Sequence, residues 1–145
     1  MSQIHQLKAH FAEQVYPDQL GNYSRCKLAK IAEQHGTPTV IIDQDVIAAQ
    51  YHSLCQALPK VKMRYAIKAL PQENVIELLH QLGCGFDLAT SGEIELLHNL
   101  GIGPEHTIHT HPIKKDAEIR HAIAYGCRYF VVDNSHEVDK FKAYK

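Results

Sequence analysis

From about residue 60 onward, one unit repeats: a run rich in β-branched and aromatic residues, a polar turn, an amphipathic helix, then a glycine. This repeat constrains the fold more than any other feature. Strands that alternate with helices at this rhythm pair as parallel βαβ units. The pattern predicts strands at 61–68, 85–89, 107–111 and 128–133. The helix after the first strand carries Val75, Ile76, Leu78, Leu79 and Leu82, and Gly83 stops it. The next carries Ile94, Leu96, Leu97 and Leu100 before Gly101; the third carries Ile119, Ala122 and Ile123 before Gly126. Apolar residues three and four apart make the buried stripe of each helix, and glycine supplies the left-handed residue that closes it. The fourth strand has the densest run, Tyr129-Phe130-Val131-Val132, and Ser135 with Glu137 opens another helix.

Polar residues end the strands: Lys68, Asp87, His111 and Asp133. The differences 87 − 68, 111 − 87 and 133 − 111 are 19, 24 and 22 residues, each one strand plus one helix. Residues so placed line one mouth of a barrel or sheet, where α/β proteins carry their chemistry. Lys68 stands out, in Tyr65-Ala66-Ile67-Lys68-Ala69. An amine at the end of a buried strand is poorly solvated, so its charged form is disfavoured and its pKa falls. Such a lysine can form a Schiff base. The plain alternative is a strand-end lysine whose head reaches water.

Asp87 could orient or neutralise a cationic group near Lys68, or it could sit exposed on a loop. Thr90 and Glu93 have the spacing of a capping box, a role preferred here to catalysis for Glu93. His109 and His111 would point the same way on a strand, and such a pair can bind a metal. The chain has eleven histidines, however, and this segment offers no second ligand set, so no metal is assigned. There is no GxGxxG and no Walker loop.

The N-terminal third differs in pattern. Helices are predicted at 3–14 and 24–34, and Gly36-Thr37-Pro38 breaks the pattern. A strong strand follows at 39–43 and a helix at 46–58. That strand lies outside the repeat register, so it is assigned to a second sheet. The chain thus divides into a helical leader at 1–36, a lead-in strand and helix at 37–60, and a parallel β/α region at 61–145.

With a net charge of −1, the chain lacks the electrostatic signature of a nucleic-acid or membrane-surface binder. No apolar run approaches membrane-spanning length, and residues 1–10 lack the apolar core of a secretory signal. The four cysteines, Cys26, Cys55, Cys84 and Cys127, are widely spaced without a CxxC pair. Reduced thiols in a cytoplasmic protein are expected. A closed eight-fold barrel needs about 250 residues, and the last helix has a start signal without a stop signal. The sequence therefore reads as a fragment.

Four stretches, taken in order, resemble the fold-type III PLP-dependent decarboxylases, the barrel family of ornithine, lysine, arginine and diaminopimelate decarboxylases. They are His35-Gly36-Thr37-Pro38 with Val40-Ile41-Ile42-Asp43, then Tyr65-Ala66-Ile67-Lys68-Ala69, then Gly85-Phe86-Asp87-Leu88-Ala89-Thr90 with Glu93-Ile94. The last is His111-Pro112-Ile113-Lys114-Lys115 with Val131-Val132-Asp133-Asn134-Ser135 and Glu137-Val138. The likeness runs from about His35 to the end of the chain.

The resemblance implies the N-terminal part of a TIM (β/α)8 barrel, about its first four βα units, with the strand at 39–43 joining a second β-domain. It implies that Lys68 carries pyridoxal 5'-phosphate covalently and that Ala66, Asp87, Glu93 and His111 line the cofactor. It implies a homodimer with shared active sites and a small amino-acid substrate. The implied reaction is decarboxylation of a basic amino acid, of ornithine or lysine type, to the corresponding amine. The complete protein would be active and this segment alone inert. His111-Pro112-Ile113-Lys114 leans to the ornithine/lysine branch, whereas Ser91-Gly92-Glu93 leans to the diaminopimelate branch. Leu70 and His111 stand where the family more often has asparagine. Alanine racemases share the strand lysine, but the glycine- and tyrosine-containing turn that follows theirs is absent here. Three other readings stay open: a diaminopimelate decarboxylase, a catalytically dead homologue acting as a binding or regulatory protein, and a metal-dependent barrel hydrolase using His109 and His111.

Overall fold

The computed structural model describes residues 19–20 and 23–144, and the chain divides into two units between Ile42 and Asp43. In the first unit, β1 (Gln19–Leu20) pairs antiparallel with β2 (Tyr23–Ser24), and α1 (Arg25–His35) follows. The Ser24 side chain starts α1 by accepting from the Lys27 amide at 3.3 Å. This helix is the one expected at 24–34; the helix expected at 3–14 lies outside the described residues.

The strand expected at 39–43 is not formed. Val40 is 87% exposed, Ile41 and Ile42 are exposed, and none of them joins a β-ladder among the described residues. Strand propensity measures fit to a neighbouring strand, and among the described residues this run has no neighbour to fit. Asp43, expected to end the strand, instead caps α2 (Gln44–Ala57). Its Oδ1 accepts the amides of Asp45 at 3.0 Å and Val46 at 3.2 Å, meeting donors that the first helical turn leaves unpaired.

Beyond α2 the second unit alternates strand and helix: β3 (Arg64–Ala66), α3 (Glu73–Gln81), β4 (Gly85–Leu88), α4 (Ser91–Asn99), β5 (Thr107–His109), α5 (Asp116–Tyr125) and α6 (Ser135–Phe141). The three strands are parallel and lie side by side in chain order. Alternation along β4 sorts its side chains between two faces. Phe86 and Leu88 are 0% exposed and join Val75, Ile76 and Leu79 of α3 and Ile94 and Leu97 of α4 in the core. Burying a side chain of that size contributes about 1.5–3 kcal/mol. Gly85 and Asp87 face the other way and are half-buried. Gly85 has a specific reason to lack a side chain. A Cβ there would lie 2.8 Å from the His106 carbonyl, to which Arg64 Nη1 donates across the strand at 3.0 Å. Helix α5 ends where expected, at Gly126 with φ of 102°, and the Gly126 amide turns back to Ile123 O at 2.9 Å.

The strands are shorter than the sequence pattern predicts. Residues 61–63 precede β3 without joining it, and Ile67–Ala69 form a 3₁₀ turn, so Lys68 lies past the strand end. The largest departure is the densest apolar run, 128–133. It reduces to one bridge between Phe130 and His109, closed by His109 N to Tyr129 O and Val131 N to His109 O, both 2.9 Å. Tyr129 and Val131 are 61% and 41% exposed. The Val131 carbonyl, which a ladder would otherwise take, accepts instead from the Lys114 ammonium.

Candidate active site

The C-terminal edge of the sheet gathers Lys68, Asp87, Thr90, Thr110 and His111. β3, β4 and β5 are in register through Ala66, Asp87 and Ile108, so these three side chains share the face opposite the helices. Ala66 is short and leaves that face open. Lys68 begins two residues beyond it. Its side chain is exposed, which corrects the expectation of a poorly solvated amine. The reason is positional: β3 is an edge strand paired only with β4 among the described residues, and the lysine sits in the turn beyond it. Among the described residues Lys68 has no ion pair or hydrogen-bonded side-chain partner, so its amine is free.

The turn after Lys68 does not rely on a polar side chain at position 70. Leu70 is half-buried against the core, and its carbonyl accepts from the Gln72 amide at 2.9 Å and from the Tyr65 hydroxyl at 3.2 Å. Burial raises the Tyr65 pKa, which keeps this hydroxyl a donor.

Asp87 does not pair with Lys68. Its Oδ1 accepts the Thr110 hydroxyl at 2.6 Å and the Thr110 amide at 3.2 Å. Thr90 and Glu93 form the capping box expected of them at the start of α4. The Glu93 carboxylate takes the Ala89 amide at 2.6 Å and the Thr90 amide at 3.4 Å, so it clamps the loop beyond β4. His109 and His111 part company. His109 is 0% exposed and stacks on Phe130 with centroids 5.9 Å apart, whereas His111 lies past the strand end and is exposed. No group of three or more metal-ligating side chains is assembled among the described residues.

The sequence pattern gave no warning of two features. Thr110 is the partner of Asp87, joined by pairing across 23 residues. Buried Lys114 and Glu137 and half-buried Lys140 form a knot: Glu137 accepts the Lys114 amide at 3.2 Å and Lys140 Nζ at 2.5 Å, and Lys140 Nζ also donates to the Lys114 carbonyl at 2.9 Å. Burial lowers the Lys114 pKa against the opposing pull of Glu137, and the Lys140 hydrogen bond holds the Glu137 carboxyl below the usual range. Lys114 and Glu137 both stand in the last of the four stretches that carry the family resemblance, 23 residues apart, but only the fold brings them into contact. The knot anchors the loop after β5, and with it His111.

Parallel βα units with a free amine beyond one strand and a fixed carboxylate on the next place reactive groups at the strand ends, where α/β folds carry their chemistry. Residues 44–145 match the family described as pyridoxal-dependent decarboxylase, pyridoxal binding domain. The chain belongs to this family. It is 32% identical over 117 residues to a lysine/ornithine decarboxylase of Selenomonas ruminantium, covering 81% of this chain and 30% of that protein. It also superposes on the lysine/ornithine decarboxylase of Vibrio vulnificus. In the cadaverine complex the TM-score is 0.78 at 52% identity, covering 81% of this chain and 32% of the other. In the putrescine complex the TM-score is 0.82 at 49% identity, covering 87% and 35%. The chain thus spans about a third of the length of these relatives.

The site residues fit the aldehyde end of the pyridoxal coenzyme that the family binds. Lys68 offers an accessible amine, Ala66 leaves room on the sheet face, and Asp87 supplies an anion held in one position.

Proposed function

We propose that this chain forms the coenzyme-binding part of a decarboxylase that converts a basic amino acid, of lysine or ornithine type, to the corresponding amine and carbon dioxide. The observation that carries the reading is the free Lys68 amine beside the Ala66–Asp87 row, in a chain of this family. The high identity to two lysine/ornithine decarboxylase structures supports the substrate class. When bound, the coenzyme supplies an electron sink for the charge left as carbon dioxide departs.

The chain's own residues hold and orient. Lys68 is the residue that would hold the coenzyme, through its accessible amine. Asp87 presents its carboxylate to the cationic groups of coenzyme and substrate, and a fixed anion needs little rearrangement during reaction. Glu93 acts through the Ala89 and Thr90 amides, shaping the wall beside Asp87. His111 stands at the mouth on the loop that Lys114, Glu137 and Lys140 secure. In this reading the three sequential parallel strands open a (β/α)8 barrel, residues 39–43 join a second β-domain, and the whole cytoplasmic protein works as a homodimer with shared sites.

Pyridoxal phosphate titration of the whole protein tests the reading. The coenzyme should gain a new visible absorbance band on the protein, and the protein should release carbon dioxide from L-lysine or L-ornithine. Lys68→Ala should abolish both. An unchanged band in that variant would remove Lys68 from its role, and uptake of coenzyme without carbon dioxide release would favour a binding protein.

A further inference from the structure

We infer that Thr110 is a positioning residue that sets the orientation of the Asp87 carboxylate, an inference that rests on the decarboxylase reading. Both donors of Thr110 converge on a single oxygen, Asp87 Oδ1. The amide is shared, since it also donates to the Leu88 carbonyl at 3.2 Å, so the hydroxyl at 2.6 Å is the stronger hold. A hydroxyl bonded to a carboxylate at that separation is a charge-assisted hydrogen bond, stronger than a neutral one.

The other oxygen, Oδ2, has no hydrogen-bond partner among the described residues. The carboxylate is therefore fixed by one atom and open at the other. Threonine suits this task. Its branched side chain has few accessible rotamers, and its position just past β5 is set by the His109–Leu88 register. The consequence is a division of labour: Thr110 holds Oδ1, and Oδ2 faces the cationic group that Asp87 receives. Without the hydroxyl, the carboxylate could rotate and lose its fixed aim.

A double-mutant cycle tests this in the whole protein, read by pyridoxal phosphate affinity and by turnover of L-lysine. Thr110→Val removes the hydroxyl at nearly constant shape. It should weaken coenzyme binding severalfold and lower kcat/KM roughly tenfold to a hundredfold, the range for a hydrogen bond to a charged group. Thr110→Ser restores the hydroxyl and should recover most of both. In an Asp87→Ala background, Thr110→Val should change coenzyme affinity by less than about twofold, because contacting pairs are non-additive.

Equal losses in both backgrounds, failure of the serine variant to rescue, or a loss that tracks a fall in the thermal midpoint of the coenzyme-free protein would overturn the inference. Wild-type protein that takes up no coenzyme would overturn the decarboxylase reading itself and this inference with it. Coenzyme uptake with an additive cycle would overturn the role of Thr110 alone.

Discussion

His109→Phe probes the interior beneath the site. The imidazole is 0% exposed, stacks on Phe130 at an interplanar angle of 25°, and has no hydrogen-bond partner at either ring nitrogen among the described residues. A neutral imidazole carries one donor and one acceptor, and an unmet buried polar group costs about 1–3 kcal/mol. Burial lowers the His109 pKa below its ordinary value, helped by the positive charge of Lys114 and by His111; Glu118 and Asp87 pull the other way, and the net shift is down. The folded chain therefore holds His109 neutral in a range where the unfolded chain takes up a proton, just below pH 6.5. Stability is full above that pH. It is lost as pH falls toward the folded-state value, by up to about 1.4 kcal/mol per pH unit.

Phenylalanine keeps the stacked ring and removes both the proton and the unmet groups. It is also larger, and overpacking costs about 1–3 kcal/mol, but that cost is the same at every pH. The decisive quantity is therefore the pH dependence of the difference between variant and wild type, measured by urea unfolding from about pH 5 to 7.5. Relative to wild type, the variant should gain up to about 1.4 kcal/mol per unit below pH 6.5 and show a flat difference above it. A difference flat across the whole range would refute the claim that His109 is held neutral and unpartnered.

Thr90→Ala should lower stability by about 1 kcal/mol, seen as a lower urea midpoint, whereas Thr90→Ser should hold it; no loss would mean that the capping box does not support α4. Glu137→Ala removes the acceptor of the Lys114 amide and of Lys140 Nζ. Hydrogen exchange at the Lys114 amide should then speed up on the order of tenfold while the α4 amides stay protected. Equal acceleration in both places would point to global opening rather than release of the loop after β5.

Sequence alone determined what is local. The amphipathic spacing of Val75, Ile76 and Leu79, the glycine that closes α5, the Thr90–Glu93 box and the parallel βα rhythm each depend on neighbours within a few residues, so the pattern carries them. It also marked the neighbourhood of the strand ends, although Lys68 falls in the turn just past β3 and Asp87 within β4. Tertiary structure alone decided what depends on a partner distant in the chain. The apolar runs at 39–43 and 128–133 look like strands to any local rule, yet among the described residues one forms no ladder and the other a single bridge, because a strand exists only where another backbone edge accepts it. The exposure of Lys68, the capture of Asp87 by Thr110, the separation of His109 from His111 and the Lys114–Glu137–Lys140 knot follow the same reason. Solvation and hydrogen-bond partners are set by how the strands line up, and no stretch of residues encodes that by itself.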